Sequence, residues 1–155
     1  MHKTSTKAAA ATAPAEPDYR LEDQVGFLLR RAYQRASSNL IGRIRPYDLT
    51  TPQFATLARL YERGTLSQNL LGRLVAMEPA NIRDVVLRLK KRRLIVTRRD
   101  PEDGRLILVS LTPSGFSLVE KLLPIEIECT ARTLAALNAN EKTLLYDLLG
   151  RLADS

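Results

Sequence analysis

Apolar residues recur at every third or fourth position through most of this 155-residue chain. Leu21, Val25, Leu28, Leu29, Ala32, Ala36 and Leu40 form one such series, the spacing of a single helix face. This helix should end before Pro46, because proline disfavours the helical region for its predecessor. Thr50 or Thr51 can cap a second helix, with Pro52 near its first turn and Phe54, Leu57, Ala58, Leu60 and Tyr61 along it. Gly64 then stops it. Ser67 caps a short third helix bearing Leu70, Leu71, Leu74 and Val75. Pro79 suits the first turn of a fourth, whose inner face is Ile82, Val85, Val86 and Leu89.

The pattern changes after this helix. Leu94, Ile95, Val96 and Thr97, then Leu106, Ile107, Leu108 and Val109, are rich in β-branched residues and predict two strands. Residues 100–104 supply the turn between them. Thr112, Pro113, Ser114 and Gly115 start a long helix to about Leu137, with Pro124 as a point of bending. Asn138 and Glu141 have capping-box spacing and open a last helix with Leu144, Leu145, Leu148, Leu149 and Leu152. The order is four helices, two strands and two helices, with a weak extra strand near Gly64 and no internal repeat. The fold class is mainly α: an α+β winged helix-turn-helix lobe at about 50–115, flanked by dimerisation helices at about 20–45 and 114–153. The terminal helices carry more apolar residues than so small a lobe can cover, which fits a partner chain. Residues 1–18 read as a disordered tail and residues 19–155 as the domain.

Charge sharpens this picture. The formal net charge is +7, and between positions 83 and 105 there are nine basic and four acidic residues, so about +5 falls in one window. Such an excess points to an anionic partner. Cys129 is the only cysteine, which excludes an intrachain disulfide and fits a reducing compartment. No apolar run approaches the ~18 residues of a membrane span, so the chain reads as cytoplasmic with no membrane partner. The only histidine is His2, and there is no glycine-rich phosphate loop, metal-spaced Cys/His set or nucleophile beside a base. The expectation is therefore no catalytic residue, no metal, no cofactor and no enzyme activity.

Residues 66–115 carry the functional signal. With the fourth helix packed on its apolar face, Asn81, Asp84, Arg88 and Lys91 line one outer flank, and Ala80, Arg83 and Leu87 another. A small residue, an amide and an arginine in the first turns suit a DNA major groove, where arginine reads guanine and asparagine reads adenine. Arg73, Lys90, Arg98 and Arg99 are placed for phosphates, and Ser67 and Gln68 open the preceding helix of the same surface. Arg105 follows the hairpin turn and can enter a minor groove, with Asp103 holding its guanidinium. The plain alternative for any one helix is a solvated charged face. The alternative for the whole chain is a non-specific architectural or RNA-binding protein, with a steep salt dependence and no preferred sequence.

This stretch resembles the MarR family of winged-helix regulators. The resemblance is carried by LTTPQFATLARL at 49–60, LSQNLLGRLVAMEPANIRDVVLRLKKRRLI at 66–95 and DPEDGRLILVSLTPSG at 100–115, and it runs from about Leu21 to Leu152. It implies an obligate homodimer whose first and last helices interdigitate while two winged lobes read a pseudo-palindrome in double-stranded DNA. Arg93 stands where the family usually has glycine, at a position that needs a left-handed backbone, and Glu78 stands where close relatives have aspartate. YRLEDQVGFLLRRAYQR at 19–35 and LSQNLLGRLVAMEPANIRDV at 66–85 look like the branch that represses nicotinate degradation, whose ligand is 6-hydroxynicotinate.

The resemblance also implies a small aromatic acid effector held between the dimer helices and the winged lobe. Arg30, Arg31, Tyr33, Tyr47, Thr50 and Gln53 are the candidates for the cation, wall and polar groups of such a pocket. The competing reading of these arginines is surface or dimer-interface residues. A second functional reading is redox sensing through Cys129, but the family's peroxide sensors place their cysteine in the first helix. A buried structural cysteine on a dimer helix is the simpler role.

Overall fold

The computed structural model describes residues 19–154; the expected N-terminal tail lies outside them. The chain divides into Met1–Tyr33 and Gln34–Ser155, and helix α1 (Val25–Ile44) crosses the boundary. In the first unit a 3-10 turn, Leu21–Asp23, precedes α1. Gln24 between them is extended (φ −82°, ψ 124°), so Leu21 does not share a continuous helix with Val25 as its spacing predicted. None of the described residues up to Tyr33 is buried.

In the second unit α1 ends at Ile44, just before Pro46, and a 3-10 turn Arg45–Tyr47 follows. Helix α2 (Thr51–Arg63) is capped by Thr50 rather than Thr51: Thr50 Oγ1 accepts from the Gln53 N–H, and Gln53 Oε1 accepts from the Thr50 N–H. Gly64 closes α2 with φ 73°, where a Cβ would be strained. The weak strand appears as β1 (Leu66–Ser67), and Ser67 caps α3 (Gln68–Leu74). Helix α4 (Pro79–Lys91) begins on Pro79 as expected.

The two main strands are offset from the predicted runs: β2 is Ile95–Arg99 and β3 is Ile107–Leu111. Helix capping explains the first shift. Arg93 adopts φ 58°, its N–H donates to the Lys90 carbonyl at 2.9 Å, and the Leu94 N–H donates to the Leu89 carbonyl at 3.1 Å. This is a Schellman motif with arginine in the left-handed position. Leu94 is thereby committed to the helix end, and the ladder begins one residue later. The Leu106 N–H is likewise used inside the turn, on the Asp103 carbonyl. β3 lies between β1 and β2, all antiparallel, with Val109 opposite both Leu66 and Thr97.

Helix α5 (Pro113–Thr133) stops short of Leu137, and α6 (Ala139–Ala153) follows. Asn138 must be extended (ψ 174°) to make its capping box with Glu141, so the chain leaves the helix beforehand through tight turns at 134–137. Phe54, Leu57 and Leu60 of α2 form the centre of the core with Leu71, Ile82, Leu89, Ile95, Val109, Val119 and Leu122. Burying each such side chain stabilises by roughly 1.5–3 kcal/mol. Gly115 is required by close approach: a Cβ there would overlap the Leu94 carbonyl oxygen. Helix α6, in contrast, has no buried residue, and Leu144, Leu148 and Leu149 on it are exposed, as is Ile127 of α5 at 70%.

Candidate nucleic-acid interface

Packing fixes which side of α4 faces outward. Ile82, Val86 and Leu89 are buried and Val85 is half-buried, which leaves Ala80, Asn81, Arg83 and Asp84 exposed on the first two turns. The side chains of Asn81 and Arg83 have no hydrogen-bond or ion-pair partner among the described residues, so their donors are available to a ligand. Asp84 instead pairs with Arg88 one turn on, at 3.7 Å. That pair was legible as an i, i+4 spacing, yet Arg88 does not belong to the expected DNA set.

The wing is built in advance of any partner. Asp100 Oδ1 accepts from the Glu102 N–H at 2.8 Å, which sets the turn after β2. Arg99 Nη1 then donates across the hairpin to the Gly104 carbonyl at 2.7 Å. Asp103 holds Arg105 as expected: Nε donates to Oδ1 at 3.0 Å and Nη2 to Oδ2 at 3.2 Å, while the Arg105 backbone N–H donates to Oδ1. The Arg105 side chain hydrogen bonds, followed by that backbone N–H, hold the Asp103 carboxyl below its usual range. Arg105 is nevertheless 91% exposed along its side chain, so it is oriented but still accessible.

The expected phosphate contacts divide into two groups. Arg73 and Arg98 are exposed and have no side-chain partner among the described residues. Lys90 donates to Thr97 Oγ1 at 2.7 Å, which ties α4 to β2, and Arg99 serves the hairpin as above. Ser67 is half-buried with its hydroxyl accepting from the Leu70 N–H, and Gln68 is half-buried at the start of α3.

Arg30, Arg31 and Tyr33 are exposed on α1, with the Arg31 guanidinium carbon 5.9 Å from the Phe27 ring centroid. Tyr47 packs against the core. Thr50 and Gln53 line a crevice of about 310 Å³ whose opposite wall is α4, through Asn81, Val85 and Arg88. Cys129 is buried and donates to the Asn39 carbonyl at 3.3 Å, an arrangement suited to packing. Among the described residues there is no cluster suited to a metal ion, and no helix is long and apolar enough to cross a membrane.

Residues 47–106 match the MarR family model. The chain is also 36% identical over 152 residues to the HTH-type transcriptional repressor NicR of Pseudomonas putida, covering 97% of this chain and 96% of that one. The chain belongs to the MarR family. As a MarR-family protein it is a transcriptional regulator and not an enzyme. Two solved MarR-like structures are close to it. BpsR of Bordetella bronchiseptica, whose DNA binding is regulated by 6-hydroxynicotinic acid, has a TM-score of 0.85 at 37% identity, covering 90% of this chain and 99% of its own. PcaV of Streptomyces coelicolor in complex with its natural ligand has a TM-score of 0.81 at 32% identity, with the same coverage of 90% and 99%.

Proposed function

We propose that the protein represses transcription by binding a pseudo-palindromic operator as a homodimer, and that a small aromatic acid releases it. The observation that carries the DNA part is the unpartnered edge of Ala80, Asn81 and Arg83 beside a hairpin whose Arg105 is already oriented. In this reading α4 enters the major groove, Arg83 and Asn81 reach base edges, and Arg105 enters the adjoining minor groove. Arg73 and Arg98 sit on phosphates, and Lys90, Arg99, Ser67 and Gln68 hold the surface in register. The exposed leucines of α6 support a second copy of the chain. Two-fold symmetry then places half-sites about one helical turn apart, ~34–36 Å. Acting on DNA, the protein works in the cytoplasm.

The effector reading is supported by BpsR and PcaV and by the crevice beside α4. The crevice offers the Arg88 guanidinium, which also pairs with Asp84 of the same lining at 3.7 Å, to a carboxylate, Pro52 and Val85 as apolar wall, and Thr50 and Gln53 through the polar groups that capping α2 leaves free. Arg30 and Arg31 remain the other candidates for the cation that binds an effector carboxylate, and Tyr33 and Tyr47 for its aromatic wall. An effector can weaken operator binding only by its preference for the state that does not fit DNA, so tenfold release needs about a tenfold preference. Titration of 6-hydroxynicotinate, salicylate and benzoate into an operator gel shift tests this. Release by at least one at or below ~1 mM is expected, and Arg88→Ala and Arg31→Ala identify the cation. No release by any of the three removes the effector reading and leaves the DNA reading standing.

A further inference from the structure

Three helix ends meet where α4 stops. Arg92 is the cap residue of α4, and its guanidinium reaches back to the turn that follows α1. Nη2 donates to the Tyr47 carbonyl at 2.9 Å and Nη1 to the Asp48 carbonyl at 2.5 Å. These carbonyls close the 3-10 turn Arg45–Tyr47, where Asp48 departs with φ 53°. The end of a helical run leaves such carbonyls without partners and favours a cation beside them. The next carbonyl, that of Arg93, accepts from Thr112 Oγ1 at 2.7 Å, and Thr112 caps α5. Helix α5 is in turn tied to residues 34–44 of α1. Arg43 makes two bonds to Glu128 at 3.1 Å, Asn39 Nδ2 donates to Thr133 Oγ1 at 2.9 Å, and Cys129 donates to the Asn39 carbonyl. Those α1–α5 bonds lie in the last two turns of α5, away from Thr112 at its start, so α5 is joined to the end of α4 at one end and to α1 at the other. Among the described residues, Arg92 makes the only side-chain hydrogen bonds between α4 or its cap and residues 45–50.

We propose that Arg92 is a positioning residue for DNA recognition: it sets the angle at which α4 presents Asn81 and Arg83, and it does not itself contact DNA. The proposal rests on α4 being the reading helix. A planar guanidinium can serve two adjacent carbonyls at once, and an ammonium on a lysine stem cannot reproduce that fork. Arg92 is half-buried with both terminal nitrogens bonded to backbone carbonyls, unlike Arg98, which is exposed and has no side-chain partner among the described residues.

The test uses a duplex recovered from a random-sequence library with the native full-length chain. Affinities of Arg92→Met and Arg92→Lys are measured by fluorescence anisotropy across a salt series, and the selection is repeated with Arg92→Lys. Both variants should bind at least about tenfold more weakly with an unchanged salt slope, and Arg92→Lys should broaden base preference at major-groove positions. A phosphate contact would behave oppositely: Arg92→Met would lower the slope by about one and Arg92→Lys would restore binding. That pattern, or native affinity in either variant, overturns the proposal. If Arg92→Met does not fold, Arg92→Lys decides alone, since loss of preference at a native melting temperature supports positioning and native preference contradicts it. Failure of the underlying reading shows separately, as a native chain that selects no duplex or an Arg83→Ala variant with native preference.

Discussion

Replacing Arg93 by glycine should make this protein more stable, although it removes a whole side chain. Arg93 holds φ 58° to close α4, and a non-glycine residue in that region costs roughly 1–2 kcal/mol. Glycine relieves this strain but loses more backbone freedom on folding, roughly 0.5–1 kcal/mol. The bonds at this position belong to the backbone, namely the N–H to Lys90 and the carbonyl accepting from Thr112, and both survive the change. The side chain is exposed and has no hydrogen bond or ion pair among the described residues. The net gain is therefore about 0.5–1 kcal/mol, a rise of about 1–4 °C in Tm for a chain of this size. Scanning calorimetry measures it, at one protein concentration because any self-association shifts the midpoint. Arg93→Ala is the control, since Lys90, Lys91, Arg92 and Arg93 crowd four positive charges together. Alanine removes the charge and keeps the strained backbone. A Tm that falls in Arg93→Gly, or rises equally in Arg93→Ala, refutes backbone strain as the cause.

Two further substitutions probe other parts of the account. Gly115→Ala forces a methyl onto the Leu94 carbonyl and should cost at least ~1–3 kcal/mol in urea denaturation; a cost near zero contradicts the close approach of α5 to the end of α4. Burial, and then the charge of Glu62, raise the Glu126 carboxyl above its usual 4.5. Its ionised form is thus disfavoured in the folded state, so stability is lost as pH rises through the raised value and is unaffected below the usual one. Glu126→Gln should therefore stabilise at neutral pH and have no effect at strongly acid pH, and an effect of equal size at both would exclude titration as the cause.

Most of the fold was legible because its signals are local. Thr50 with Gln53, Ser67, Pro79, and Asn138 with Glu141 mark helix starts through chemistry confined to one turn. The strand edges were less so, because their first residues belong to neighbouring features: Leu94 to the cap of α4 and Leu106 to the hairpin turn. In the candidate site, the Asp103–Arg105 clamp was readable from a spacing of two residues, and the strained Arg93 from its departure from a glycine pattern. Arg92 was not readable. It lies in a run of four basic residues, and its partners are backbone carbonyls 44 and 45 positions away, which leave no mark in composition or periodicity. Thr50 and Gln53 read as ligand contacts from residue type, whereas the structure uses Thr50 Oγ1 and Gln53 Oε1 to cap α2.

The central claim is that α4 reads bases and the wing strengthens the hold. The most direct measurement is a selected-sequence binding assay that compares the native chain with Arg83→Ala and Arg105→Ala. Arg83→Ala should relax preference at one major-groove position in each half-site and cost ~1–3 kcal/mol of discrimination. Arg105→Ala should weaken binding with less change in preference. Native affinity and preference in both variants would contradict the assignment of this surface.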